Sequence, residues 1–164
     1  MMEKILVSAC LLGAKVRYHG GDATSDHPLL ERWRREGRLV AVCPEQEGGL
    51  PTPRPPAEIV GAGAGRGVMA RVARVRSASG VDVTDAYRRG AEQALALARQ
   101  HHIRVAILKD ASPSCGSATV YDGTFTGTRV PGAGVTAALL AAHGVKVFSD
   151  LEIDQAARWL GASL

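Results

Sequence analysis

The chain has three cysteines, Cys10, Cys43 and Cys115, and each follows a short apolar run typical of a buried β-strand. A glycine or proline comes soon after each cysteine, so the strand is expected to break into a loop there. The carboxyl ends of parallel strands meet at one edge of an open α/β sheet, where loops build binding sites. Three thiols that are far apart in the sequence can therefore converge, and thiolates bind soft metal ions and iron–sulfur clusters.

The residues alone leave the role of the cysteines open. A single cysteine beside a buried strand is most often a small hydrophobic side chain. Zinc needs a fourth ligand and usually brings a C-x-x-C pair, which this sequence lacks, although His19 follows Cys10 closely enough to be considered. Three thiolates on a four-iron cluster would leave one iron open, which suggests substrate chemistry rather than electron storage.

Length and composition predict one domain over residues 1–164. Of the 164 residues, 46% are hydrophobic and 22% are charged, which is enough for one sizeable core. An odd number of widely spaced cysteines fits no disulfide framework. No apolar run reaches the roughly 18 residues of a membrane span, and no signal peptide pattern opens the chain, so we expect a cytoplasmic protein with no membrane partner.

Short apolar runs alternate with helical patterns along the chain. The predicted strands are 5–8, 39–42, 105–108 and 145–148, and the predicted helices are 29–36, 84–100, 135–143 and 152–160. Less regular predictions are a Pro-rich loop over 48–56, a flexible linker over 61–67, an edge strand or hairpin arm over 68–76 and a small hairpin over 119–125. Strands that alternate with helices predict a three-layer α/β domain with a mainly parallel sheet.

The charge pattern does not favour a nucleic-acid partner, although it leaves one possible. The formal net charge of +4 favours encounters with anions. A platform for single strands also needs aromatic residues between the cations, and aromatics are only 4% of this chain. The Gly-rich segment 61–67 fails the G-x-G-x-x-G spacing, so no nucleotide cofactor is predicted.

A series of short motifs runs through the chain in this order: Ser8–Gly13, Val16–Tyr18, Cys43–Glu45, Gly48–Pro51, Pro53–Ile59, Asp82–Thr84, Leu108–Lys109, Ser112–Gly116 and Tyr121–Phe125. Together they closely resemble the DUF523 family, whose characterised members are thiouracil desulfidases. The resemblance covers roughly residues 3–150, and chance agreement on so many linked motifs is implausible.

The resemblance implies a Rossmann-like domain that removes sulfur hydrolytically from a small thiolated nucleobase such as 2-thiouracil and releases sulfide. It also implies a 4Fe-4S cluster on Cys10, Cys43 and Cys115, with one iron left open. Glu45 and Ser112 match polar positions beside the cluster and are the catalytic candidates. The candidates for substrate binding are Ser8, Gly13, Arg17, Ser114 and Gly116.

Each polar candidate also has a structural interpretation. We hypothesise that Glu45 activates the water that replaces sulfur, whereas its alternative is a structural ion pair with Arg54 or Arg17. Ser112 and Ser114 are able to bond a pyrimidine edge or a cluster sulfide, or else they shape the turn between them.

The glycines and cations of the motifs allow two interpretations as well. The backbone amides of Gly13 and Gly116 are candidate donors to sulfur or oxygen, because glycine permits close approach. Arg17 and Lys109 are candidate counter-charges for three thiolates, or else ordinary surface cations.

Two other functions stay open at this point: a non-catalytic iron–sulfur or thiol module that senses oxidation, and an RNA-binding protein that acts on thiolated tRNA. The sequence does not predict an oligomeric state.

One departure from the family pattern is His19, which stands where the family usually has Asp after Val-Arg-Tyr. Substrate specificity or pH response is expected to differ there if that Asp serves the substrate or supports the cluster.

Overall fold

The computed structural model describes residues 2–162, which form eight strands and six helices. The strands are β1 (Ile5–Ser8), β2 (Leu39–Val42), β3 (Ala57–Gly61), β4 (Ala73–Ser77), β5 (Val105–Leu108), β6 (Thr119–Tyr121), β7 (Arg129–Pro131) and β8 (Lys146–Ser149). The helices are α1 (Pro28–Arg35), α2 (Pro44–Glu47), α3 (Ala64–Met69), α4 (Thr84–Gln100), α5 (Val135–Ala142) and α6 (Ile153–Ala162).

The central sheet contains four parallel strands in the order β2-β1-β5-β8. Every residue of β1 and β5 is buried, which is why these strands are continuous apolar runs rather than alternating patterns. Helices α1 and α6 cover one face of the sheet, and helices α4 and α5 cover the other. The predicted three-layer α/β domain with a mainly parallel sheet is therefore confirmed.

Two antiparallel pairs lie outside this sheet. Strand β3 pairs with β4, and β6 pairs with β7. A third apolar cluster joins them to α4, through the buried side chains of Ile59, Val75, Tyr87 and Val120. This packing fixes the two ladders beside the carboxyl ends of the central strands.

The structure corrects several local predictions. The bounds of β1, β2, α4 and β5 match the predicted ones, and the remaining predicted helices and the last strand shift by one or two residues. The prediction of a flexible linker over 61–67 is wrong, because most of this segment belongs to helix α3. A Cβ at Gly65 would lie 2.2 Å from the carbonyl oxygen of Gly134, so this glycine permits close packing rather than flexibility.

The small hairpin was predicted with the wrong turn. Its strands β6 and β7 are separated by a loop over 122–128, whereas the sequence suggested a tight turn at Asp122-Gly123. Within residues 2–162, no helix has the length and apolar character that crossing a membrane requires.

Candidate active site

The three cysteines line one cavity of about 380 Å³ at the carboxyl edge of the central sheet. Cys10 lies in a turn of 3-10 helix directly after β1, Cys43 follows β2, and Cys115 lies in the loop after β5. Because these three strands are parallel neighbours, their ends bring together thiols that are far apart in sequence. A cavity of this volume is within the range of roughly 300–1,000 Å³ typical of small-molecule sites.

Burial keeps the three thiols protonated at neutral pH. It raises the pKa of Cys10 to about 11, even though the nearby Arg17 cation lowers it. It also raises the pKa of Cys43 and, most strongly, that of Cys115. The thiolate form of Cys10, the carboxylate of Glu45 and the thiolate form of Cys43 would each raise the pKa of Cys115 further.

The donor set fits an iron–sulfur cluster better than a single metal ion. Among residues 2–162, no three His, Cys, Asp or Glu side chains are grouped tightly enough to hold one ion. A four-iron cluster binds each thiolate through a different iron, so its ligands surround a volume instead of one point. Three thiols around one cavity match that requirement.

Glu45 lies in the first turn of α2, and its carboxylate faces the same cavity. Its Oε1 accepts a hydrogen bond from Arg54 Nε at 2.9 Å, and both side chains are largely buried, with exposed fractions of 14% and 6%. Arg54 in turn donates to the carbonyl oxygen of Val16 at 2.9 Å. The ion pair that the sequence offered as an alternative is present, and the carboxylate lines the cavity as well.

Tyr87 of α4 lies on the other side of this carboxylate. Burial raises the pKa of Tyr87 well above its ordinary value, and the charge of Glu45 raises it further. The hydroxyl of Tyr87 therefore stays protonated and is available to Glu45 as a hydrogen-bond donor. Together, Arg54 and Tyr87 hold the carboxylate in place.

Two predicted serines lie against the cavity. Ser8 Oγ accepts the backbone N–H of Lys109 at 2.9 Å, and its own hydrogen bond to Cys115 lowers the pKa of that thiol. Ser112 Oγ accepts the N–H groups of Ser114 and Cys115, both at 3.1 Å. Ser112 thus shapes the turn, as its structural interpretation proposed, and also lines the cavity.

Three of the predicted substrate-binding residues do not line the cavity: Gly13, Ser114 and Gly116. Ser114 is buried, and its hydroxyl bonds to that of Thr136 at 2.8 Å. The N–H of Gly13 donates to the carbonyl of Cys10 at 3.2 Å, and that of Gly116 donates to the carbonyl of Ser112 at 2.9 Å. These amides are therefore engaged in the backbone, and a binding role for the three residues stays a prediction without a cavity contact.

The two motif cations lie beside the thiols. Arg17 and Lys109 both line the cavity, and both lower the pKa of Cys10. Lys109 Nζ also lies 3.9 Å from the Asp150 carboxylate. His19, the departure from the family pattern, is turned away from the cavity, since its Nδ1 accepts the N–H of Gly21 at 2.9 Å and its ring packs edge-on against Tyr18.

Sequence reasoning missed one whole side of the cavity. It consists of residues from β3, β6 and β7 and from the loop after β5: Glu58, Tyr121, Arg129 and Asp110. Strand β3 was not predicted, and the motif Pro53–Ile59 was the only signal for Glu58. The motif Tyr121–Phe125 was a usable signal for Tyr121, but no pattern identified Asp110 or Arg129.

Comparisons with known proteins agree on one family. The sequence pattern of the family described as 2-thiouracil desulfurase matches residues 5–152. A Bacillus subtilis (strain 168) protein described as uncharacterized protein YbbK is 46% identical over 150 residues, which cover 92% of this chain and 97% of that protein. A solved structure described as the [4Fe-4S]-dependent thiouracil desulfidase TudS (DUF523Vcz) is 47% identical, with a TM-score of 0.88, and the match covers 98% of this chain and 99% of that one.

Proposed function

The chain belongs to the 2-thiouracil desulfurase family, and from this membership we propose that it is an iron–sulfur-dependent desulfidase that acts on thiolated pyrimidines such as 2-thiouracil. The resemblance to the DUF523 family is thereby confirmed. One observation supports the activity in this chain above all others. Three thiols from three separate strand ends share a cavity with an anchored carboxylate, that of Glu45.

Cys10, Cys43 and Cys115 are the residues that would hold the cluster. When bound, a four-iron cluster on three thiolates supplies a Lewis-acidic iron that has affinity for sulfur and no protein ligand. The thiols release their protons on loading, because thiolates are the ligand form. Arg17 and Lys109 favour that form, since their charges already lower the pKa of Cys10.

Glu45 is the proposed general base. Hydrolysis replaces the carbon–sulfur double bond by a carbon–oxygen double bond: the oxygen of water adds to the ring carbon, and the sulfur leaves with the protons of that water. No electrons are exchanged, so the chemistry needs no oxidant or reductant, and the protein must supply a group that accepts a proton and returns it. Glu45 lines the cavity, and Arg54 and Tyr87 fix its position, which is what a base needs to reach a bound water.

Ser8, Ser112 and Arg17 are the proposed polar contacts of the substrate or of the cluster edge. All three line the cavity. Ser112 Oγ accepts backbone N–H groups, so its hydroxyl hydrogen remains free to donate to sulfur or to a ring oxygen, whereas the hydroxyl of Ser8 already bonds to the Cys115 sulfur. Arg17 supplies positive charge to the cavity, which stabilises the negative charge that develops on sulfur before it takes up the protons of the water.

The experiment is anaerobic reconstitution of the protein with iron and sulfide, followed by incubation with 2-thiouracil. We expect about four irons per chain, matching a 4Fe-4S cluster, release of one sulfide per uracil formed, and no activity in the cluster-free protein. A thiol redox module would show oxidation-dependent changes and no sulfide release. An RNA-dependent enzyme would bind thiolated tRNA in a strongly salt-dependent way and leave the free base unchanged.

A further inference from the structure

Asp110 is a cavity residue for which the proposed mechanism has no role. It lies in the loop directly after β5, and its backbone N–H donates to Asp150 Oδ1 at 2.8 Å, which anchors the loop. Its side chain is largely buried, with an exposed fraction of 13%, and lines the same cavity as the cysteines.

One carboxylate oxygen of Asp110 has no hydrogen-bond donor. Oδ2 lies 3.6 Å from Arg129 Nη1, which is an ion pair too long for a hydrogen bond. Oδ1 is buried and has no hydrogen-bond partner among residues 2–162. The other buried atoms in that condition belong to residues that do not line the cavity: Glu36, Arg88, Ser117 and Thr119. Because buried acceptors are rarely left unpaired, this oxygen points to a donor on a ligand.

The neighbouring groups do not supply that donor. Lys109 Nζ donates to the carbonyl oxygen of Asp110 at 3.3 Å and faces Asp150 instead. Cluster sulfides are themselves anionic acceptors, so they would repel this carboxylate. A thiopyrimidine, in contrast, carries ring N–H groups directly beside its thiocarbonyl carbon.

We propose that Asp110 Oδ1 accepts the hydrogen bond of a ring N–H of the thiopyrimidine, and that Asp110 thereby selects substrates with a free N–H at that ring position. This inference rests on the proposed function and identifies the ring N–H as the feature of the substrate that the cavity recognises. A charged acceptor makes a strong bond to N–H. A ligand without that donor leaves the acceptor buried and unpaired, which is the situation in which binding sites discriminate best.

The first test uses the unchanged, cluster-loaded protein and three substrates: 2-thiouracil, 1-methyl-2-thiouracil and 3-methyl-2-thiouracil. Methylation removes one ring N–H in each derivative. We expect kcat/KM to fall about a hundred-fold or more for one of the two derivatives and far less for the other. Equal kcat/KM values for the two methylated derivatives would overturn the proposal, and this result needs no mutation.

The second test identifies the residue through Asp110→Asn, which keeps the shape and removes the charge of the acceptor. We expect kcat/KM for 2-thiouracil to fall about ten- to hundred-fold through a higher KM, and the preference between the methylated derivatives to shrink. Arg129→Gln removes the ion pair but keeps the carboxylate, so it should leave that preference intact. Asp85→Asn, on the exposed face of α4, is the matched control and should keep the kinetics of the parent protein.

A binding measurement separates this proposal from the proposed function. Calorimetric titration with uracil, 1-methyluracil and 3-methyluracil needs no sulfur chemistry, and parent protein should bind uracil about ten- to hundred-fold more tightly than Asp110→Asn does. Equal uracil affinity in the two proteins would overturn the role of Asp110. A parent protein that binds uracil through Asp110 but releases no sulfide from any thiopyrimidine would contradict only the desulfidase activity.

Discussion

The cavity has two walls that differ in how deeply their strands are buried. The inner wall consists of the carboxyl ends of β1, β2 and β5, and the residues of β1 and β5 are all buried. The outer wall consists of β3 and the β6–β7 ladder, in which every residue of β7 is exposed. The inner wall carries all three cysteines, whereas the outer wall carries polar side chains.

The apolar cluster around Ile59 and Val120 holds one side of the outer wall, and polar contacts hold its exposed part. Glu58 Oε1 accepts the N–H groups of Gly123 and Phe125, at 2.9 and 3.2 Å, and so fixes the loop between β6 and β7. The ion pair of Arg129 with Asp110 joins this ladder to the central sheet. The two walls are therefore suited to different roles: a fully buried sheet edge suits a cofactor that needs fixed ligands, and a more exposed polar rim suits selection among substrates.

Cys115→Ser on the inner wall is expected to have the most severe effect on the protein. We expect loss of the cluster and of all sulfide release, because serine is a poor ligand for iron and the site keeps only two thiols. Anaerobic iron and sulfide quantification measures the first effect, and circular dichroism checks that the fold survives. Ser117→Ala, two residues further along the same loop, is the control and should keep full iron content. If Cys115→Ser bound as much iron as the parent protein, Cys115 would be excluded as a ligand.

The next largest effect is expected from Glu45→Gln. Glutamine keeps the shape of the side chain but does not take a proton from water, so kcat should fall by about a hundred- to ten-thousand-fold. Cluster content should stay at the parent level, since no thiol changes. Glu47→Gln makes the same substitution on the exposed side of the same short helix and should retain parent turnover. Retained turnover in Glu45→Gln would remove Glu45 as the base.

Glu58→Gln tests the outer wall separately. The substitution weakens a buried charged acceptor that bonds two backbone N–H groups, so we expect a loss of about 1 kcal/mol in the free energy of unfolding. KM for 2-thiouracil should rise several-fold while iron content stays unchanged. Denaturant unfolding and steady-state kinetics measure the two effects. A lower iron content in Glu58→Gln would show that the outer wall also affects cluster binding.

The smallest effect concerns Asp82, which supports the outer wall by joining β4 to the start of α4. Hydrogen bonds from Thr84, together with the ion pair to Arg74, lower the pKa of Asp82 to about 2. Because the pKa is lowered on folding, the stabilisation is present above the unfolded pKa of about 3.9 and is lost as pH falls towards 2.

Asp82 is partly exposed, so solvent screening limits this stabilisation to less than about 1 kcal/mol. Urea unfolding of the parent and of Asp82→Asn should differ at about pH 6 and converge near pH 2. A difference that stays constant over that range would assign the effect to packing instead of charge.

The inner wall was predictable from the sequence, and the outer wall was predictable only in part, since the hairpin over 119–125 included β6 but neither β7 nor β3. The burial of a short apolar run is evident from its own composition, and a loop that contains glycine or proline follows each run, which is why β1, β2 and β5 were predicted at their observed bounds. Strand β3 carries no such pattern, because its burial depends on pairing with β4 and on packing against α4. The same limit applies to Asp110, whose burial depends on Arg129 and Asp150, both distant in sequence.

The family motifs provided chemistry that composition did not. They identified Glu45 as a candidate base, and the structure adds what anchors it, since Tyr87 lies more than forty positions along the chain in a helix that the sequence assigned only to the core. The glycines of the motifs predicted the site less well. The amides of Gly13 and Gly116 donate to backbone carbonyls once their loops fold, so they are not available to a ligand.

The order of strands in the central sheet has a consequence for biosynthesis. Strands β1 and β2 leave the ribosome early, but β5, which separates β1 from β8, is made only after more than one hundred residues have been translated. A cluster held by Cys10, Cys43 and Cys115 would therefore lack one of its proposed ligands in any shorter nascent chain, and its assembly would have to follow the translation of Cys115.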